Sequence, residues 1–188
     1  MLFFNIISLL LTACNTPQKE IQIVKASKNN ILTTEASFPL KHTAFSKLLE
    51  KHTLAGKVNY KSLNKEKDLL ESYLELLAAN PPEEKWSQEE QLAYWINLYN
   101  ASTINIILEH YPITSIKDIN NGNAWSLKIV QVADTLYSLD EIENNIIRPI
   151  FKDPRIHFAL NCGANSCAPM QQKAYEAQSL NNVLTQQT

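Results

Sequence analysis

The stretch SQEEQLAYWINLYNASTINIILEHYP, residues 87–112, decides the fold. Ser87 and Glu90 stand three apart just before an apolar run, the spacing at which a serine and a glutamate side chain satisfy the free N–H groups of a helix start. Pro112 cannot continue a helix and closes the segment. Between them Leu92, Trp95, Ile96, Tyr99, Thr103, Ile107 and Leu108 leave little polar face beyond Asn97, Asn100 and Asn105. A helix that is apolar all round is enclosed by its own domain, so the pattern predicts a central, buried helix. Asn97 and Asn100 share one side of it. A buried amide without partners costs roughly 1–3 kcal/mol. The pair therefore either ties the helix to neighbouring backbone or lines a ligand pocket, and the spacing leaves both open.

Upstream, FSKLLEKHTL places Phe45, Leu48 and Leu49 at helical spacing, and LLESYLELLAA does the same with Leu70, Tyr73, Leu74 and Leu77. Gly56 and KVNYKSL mark an extended link between them, with Val58 and Tyr60 on one side, and Pro81 and Pro82 stop the second helix. Downstream, ITSIKDI reads as a short turn or helix, and residues 128–137 alternate as a hairpin around Ala133 and Asp134. Ser138 and Glu141 repeat the capping spacing, starting a helix with Leu139, Ile142, Ile146 and Ile147 inward and Pro149 at its end. RIHFALN, residues 155–161, alternates as a strand, and the tail returns to helical spacing at Leu180, Val183 and Leu184. Helices followed by a small sheet mixed with helices define an α+β class: several amphipathic helices around one central apolar helix, packed on a small, mostly antiparallel sheet.

At 188 residues with 45% hydrophobic content the chain has the make-up of one globular domain with a sizeable core. Its 17 Lys and Arg nearly balance 19 Asp and Glu without a basic run, so no nucleic-acid partner is expected. Residues 1–13 form an apolar run too short to span a membrane and shaped like a secretory signal, although no Lys or Arg precedes it. Leu11, Thr12, Ala13 and Cys14 resemble the bacterial lipobox, which implies cleavage before Cys14 and acylation of that residue. Lipid chains on Cys14 would make membrane lipid the first partner. Residues 14–37 then read as a flexible tether ahead of a domain at 38–188. Asn15, rather than an aspartate, favours an outer membrane facing the periplasm as the location.

The remaining chemistry concentrates in RIHFALNCGANSCAPM, residues 155–170. Outside the cytoplasm, Cys162 and Cys167 are an even pair that can form a disulfide. If both stay reduced, Gly163 permits a turn that brings Cys167 toward His157 as nucleophile and base, with Asn97 or Asn100 orienting the ring or donating to an oxyanion. A metal reading would use His157, Cys162, Cys167 and His110, but a second cysteine pair is absent and no metal is assigned. Arg155 and Trp95 are candidates for substrate contact; Arg155 and Arg148, with Glu141 and Glu143, could equally form structural ion pairs. No cofactor motif is present.

VNY (58–60), AYWINLYNASTINIILEHYPITSIKDI (93–119), YSLDEIENNIIRPI (137–150) and DPRIHFALNCGANSCAPMQQKAYEAQSL (153–180) together resemble the family called domain of unknown function 547. Ordered blocks over most of the chain from Gly56 carry that resemblance, with Asn59 standing where an aspartate is usual. The resemblance implies export or lipid anchoring, as in bacterial members, and a domain cut short after the last block, since relatives continue further. It names no activity. Two classes of function stay open: a Cys/His-dependent hydrolase or acyl transferase acting on an envelope small molecule or peptide, and a non-catalytic binding or scaffolding module at the membrane surface.

Overall fold

The computed structural model describes residues 40–188; the expected signal segment at 1–13, Cys14 and the expected tether at 14–37 lie outside the described residues. Helix α4 (Gln88–Glu109) is the axis of the fold. Ser87 and Glu90 form the reciprocal cap, with the Ser87 hydroxyl accepting the Glu90 N–H at 3.1 Å and the Glu90 carboxylate accepting the Ser87 N–H at 2.6 Å. Sixteen of its 22 residues are buried, which leaves it no solvent face to speak of. No helix among the described residues is long and apolar enough to cross a membrane.

Helices α1 (Thr43–His52) and α3 (Lys67–Ala79) supply the first cover. Phe45 of α1 stacks on Tyr73 of α3 with ring centroids 5.0 Å apart, and Leu70 and Leu77 complete the buried stripe of α3. Tyr94 of α4 donates its hydroxyl to the Leu77 carbonyl at 2.8 Å, joining α4 to the last turn of α3. His42, just before α1, is buried with Nδ1 2.7 Å from the Tyr73 hydroxyl.

The link between α1 and α3 is shorter in extension than its sequence pattern suggests. Only β1 (Thr53–Leu54) and β2 (Lys57–Val58) are extended, paired antiparallel around Ala55 and Gly56. Both turn residues take positive φ, 49° and 76°, as a two-residue hairpin turn requires. Asn59 then caps helix α2 (Tyr60–Leu63), its side chain accepting the Ser62 N–H at 3.1 Å, so Tyr60 belongs to a helix and not to the extended link.

The second half adds a hairpin and a bent helix. Strands β3 (Val130–Val132) and β4 (Thr135–Tyr137) pair antiparallel in the register Val130 to Tyr137, and Ala133 N–H bonds the Ala78 carbonyl at the end of α3. The antiparallel sheet of this α+β fold is thus two separate hairpins. Ser138 caps α5 (Leu139–Glu141), which runs through a π-helical stretch (Ile142–Ile147) into α6 (Arg148–Phe151). Pro149 does not end this helix. A proline inside a helix removes one backbone donor and crowds the preceding turn, and here the widened π turn, in which Arg148 N–H reaches back to the Glu143 carbonyl, absorbs it.

Residues 155–161 are likewise not a strand. Pro154–Phe158 is a 3-10 helix, capped by the Asp153 side chain on the Arg155 N–H at 2.9 Å. Proline at the first helical position has its fixed φ already suited to a helix, and aspartate before it is a favoured cap. Ile156, Ala159 and Leu160 are buried, the first two three apart, while His157 and Phe158 face outward. The chain then crosses α4 without regular structure until α7 (Leu180–Gln186), which buries Leu180 and Leu184.

Burial holds the His42 imidazole down to about 4 from its ordinary 6.5. The unfolded chain takes up this proton as pH falls through its ordinary value, whereas the folded chain stays neutral until about pH 4, so stability is full above the ordinary value and declines through the window between the two. Urea unfolding at neutral pH and near pH 4.5 is expected to show a loss of about 2–3 kcal/mol from this group. His42→Asn, which keeps an acceptor for Tyr73 but does not titrate, should flatten that decline.

Candidate functional site

Asn97 and Asn100 do what a central polar pair on an apolar helix must do. The Asn97 amide grips one residue from both sides: Nδ2 donates to the Tyr175 carbonyl at 2.8 Å, and Oδ1 accepts the Tyr175 N–H at 2.9 Å. Asn100 Nδ2 donates to the Ala159 carbonyl at 2.9 Å, and its Oδ1 accepts the Asn161 N–H at 2.8 Å. Both side chains are buried, at 0% and 2% exposure, and the backbone they hold has no strand or helix of its own at those residues.

Asn161 continues the network into the cysteine loop. Its Oδ1 accepts the Gly163 N–H at 3.0 Å and its Nδ2 donates to the Ala168 carbonyl at 2.7 Å, bridging the loop that Cys162 and Cys167 close with a disulfide. The two Cα atoms are 5.7 Å apart, in the ordinary range for such a bond. Gly163 sits at φ 79° with α4 beneath it; a Cβ there would lie 2.9 Å from Ile107 Cδ1 and 3.2 Å from Thr103 Cγ2. Trp125 Nε1 donates to the Cys162 carbonyl at 2.9 Å, and the Ala164 N–H points at Cys167 Sγ at 3.2 Å.

This loop and the first hairpin enclose a cleft of about 300 Å³, with Lys57, Tyr60, Asn161, Asn165, Cys167 and Pro169 in its wall. Gly56 lets the two sides meet, because a Cβ on it would fall 2.5 Å from Pro169 Cβ, and its carbonyl accepts the Met170 N–H at 3.0 Å. Burial pushes the Tyr60 phenol up to about 12, so it is a neutral hydrogen-bonding group. Lys57 is the one charged residue in the wall. Such a surface suits hydrogen-bond recognition of a small neutral or anionic molecule.

The other expected site residues lie elsewhere. His157 is exposed on the 3-10 helix with its ring against Phe158, and it does not line the cleft. Arg155 forks onto Asp153, with Nη2 2.6 Å from Oδ2, and reaches Thr185 Oγ1 at 2.7 Å, so it fastens the 3-10 helix to α7. Arg148 pairs with Glu143 in the same structural manner. Trp95 is buried edge-on to Tyr94 and Tyr137. His110 Nδ1 lies 2.9 Å from the Ile106 carbonyl, and no group of three or more His, Cys, Asp or Glu among the described residues is arranged to hold a metal. Asn161 and Tyr60 were missed as wall residues. An asparagine two residues before a glycine is a turn signal that could have found the first; the second is fixed only by the cap at Asn59.

The fold and this network define an α+β domain built around one buried helix, with an amide-held, disulfide-closed loop at its cleft. Residues 83–188 match the sequence profile of a family described as Protein of unknown function, DUF547. The match covers more than half of the chain, and the protein belongs to that family. No curated protein and no solved structure matches the chain.

Replacing Asn97 by alanine strands the N–H and the carbonyl of Tyr175 in the interior. With each orphaned group costing roughly 1–3 kcal/mol, Asn97→Ala is expected to lower unfolding free energy by about 2–4 kcal/mol, and Asn100→Ala by a similar amount. Urea denaturation followed by circular dichroism measures both; losses under half a kcal/mol would remove the clamps from this account.

Proposed function

We propose that this protein is an exported, lipid-anchored binding module of a bacterial envelope, acylated at Cys14, and that the cleft beside the disulfide loop takes a small polar ligand. The observation that carries this reading is the Cys162–Cys167 disulfide. It engages the one sulfur positioned on the cleft wall, and thiol catalysis needs a free thiolate with a base beside it. The amides of Asn97 and Asn100 are already committed to backbone, and His157 is outside the cleft, so neither the expected orienting amides nor the expected base stands at Cys167. A disulfide also accords with an oxidising compartment, in agreement with the lipobox-like segment.

The Cys/His hydrolase or acyl transferase is the competing reading, and the sulfurs separate the two. Intact-mass counting of alkylated thiols on the full-length chain should give no modification of Cys162 or Cys167 until reductant is added. A fast-alkylating Cys167 in the unreduced protein would overturn the binding-module reading in favour of the hydrolase. In cells, incorporation of a labelled fatty acid should be lost in Cys14→Ala; incorporation that persists in the variant would remove the anchor.

A further inference from the structure

A second cavity, of about 230 Å³, lies where the residues before α1, the start of α4 and residues 176–178 meet, and it shares no residue with the cleft. Its polar wall contains His42, Glu90 and Glu176, its apolar wall the buried Trp86 and Ala93, and the exposed Lys41 also borders it. His42 is only 3% exposed.

The proton on His42 can be placed. Tyr73 is fully buried, and among the described residues its hydroxyl has one hydrogen-bonding neighbour, His42 Nδ1 at 2.7 Å. A buried hydroxyl that fails to donate costs free energy, so the Tyr73 O–H points at Nδ1 and the imidazole carries its proton on Nε2. With Nδ1 engaged by Tyr73, Nε2 is the ring nitrogen left without a partner among the described residues, and His42 lines the cavity. Opposite charge is supplied by two carboxylates. Glu176 Oε1 accepts the His42 backbone N–H at 3.2 Å, which leaves Oε2, and Glu90 Oε2 accepts the Ser87 N–H, which leaves Oε1. Burial pushes the Glu176 carboxyl up, and a cation against it would reverse that.

We propose that this cavity binds a primary ammonium with an adjacent carbonyl, the group shared by α-amino amides and peptide N-termini. The ammonium meets Glu176 and Glu90, and the carbonyl accepts from His42 Nε2–H. A free carboxylate in place of the amide would face two like charges. The volume, below the 300 Å³ or so at which sites for drug-sized ligands begin, limits the occupant to about one residue.

Isothermal titration of the full-length chain with leucinamide, N-acetylleucinamide and the tripeptide Leu-Gly-Gly tests this. Leucinamide should bind, and N-acetylleucinamide, which lacks the ammonium, should not. Glu176→Gln keeps an acceptor for the His42 N–H and should weaken leucinamide at least tenfold; His42→Asn should do likewise while its melting temperature at neutral pH stays near that of the wild type. Leu-Gly-Gly binding as well as leucinamide assigns the site to peptide N-termini, and leucinamide alone assigns it to free amines. Absence of heat with both amines, equal binding of the acetylated compound, or undiminished affinity in Glu176→Gln would overturn the proposal.

Discussion

A helix that is buried on nearly every face needs its cover to be as dry as itself, and along the side that Asn97 and Asn100 face that cover is irregular chain. Backbone N–H and C=O groups laid over apolar side chains find no water, and without a strand or helix of their own they have no internal partners. Asn97 and Asn100 supply those partners from the helix side, with four hydrogen bonds to Tyr175, Ala159 and Asn161. The carboxamide carries its donor and acceptor side by side on one planar group, as a peptide unit does, so it can stand in for the missing backbone ladder. These contacts tie the chain downstream of residue 158 to α4, the cysteine loop through Asn161 and the segment before α7 through Tyr175.

The cysteine loop is fastened twice, once by sulfur and once by the Asn161 side chain across its base. The amide contacts hold Gly163 and Ala168 at the ends of the loop, and Gly163 is wedged against Thr103, Ile107 and Ile116 with no room for a side chain. Loop geometry therefore does not depend on the disulfide alone. What the sulfur bond determines is chemistry, because it takes the thiol of the cleft wall out of use as a thiolate.

The central helix was legible because its start signal and its all-round apolarity are both local. The same holds for the cap at Ser138 and for the hairpin around Ala133 and Asp134. Residues 155–161 failed for an equally local reason: Ile156, Phe158 and Leu160 alternate, and alternation suggests a strand. Asp153 and Pro154, immediately upstream, outweighed it, setting a cap and a pre-formed φ that start a 3-10 turn, which buries Ile156 and turns Phe158 outward. Pro149 misled in the opposite direction, since a π turn just before it lets the helix run on past the proline. For the asparagines, spacing showed that they share a face but could not name Tyr175 or Ala159, which are distant in the chain and carry no pattern of their own.

His42 and Tyr73 are hardest to explain by stability. A buried polar pair recovers little more than the solvation it gives up, and well-packed apolar residues of similar size often serve a core as well or better. Phe45 already stacks on Tyr73, so apolar packing was available at this point in the core. What an apolar pair could not provide is a fixed tautomer, with Nε2–H left free on a residue that lines a cavity also carrying two carboxylates. The same hydroxyl that satisfies Nδ1 thus decides which way the imidazole can donate, and that turns a costly core contact into a means of recognition.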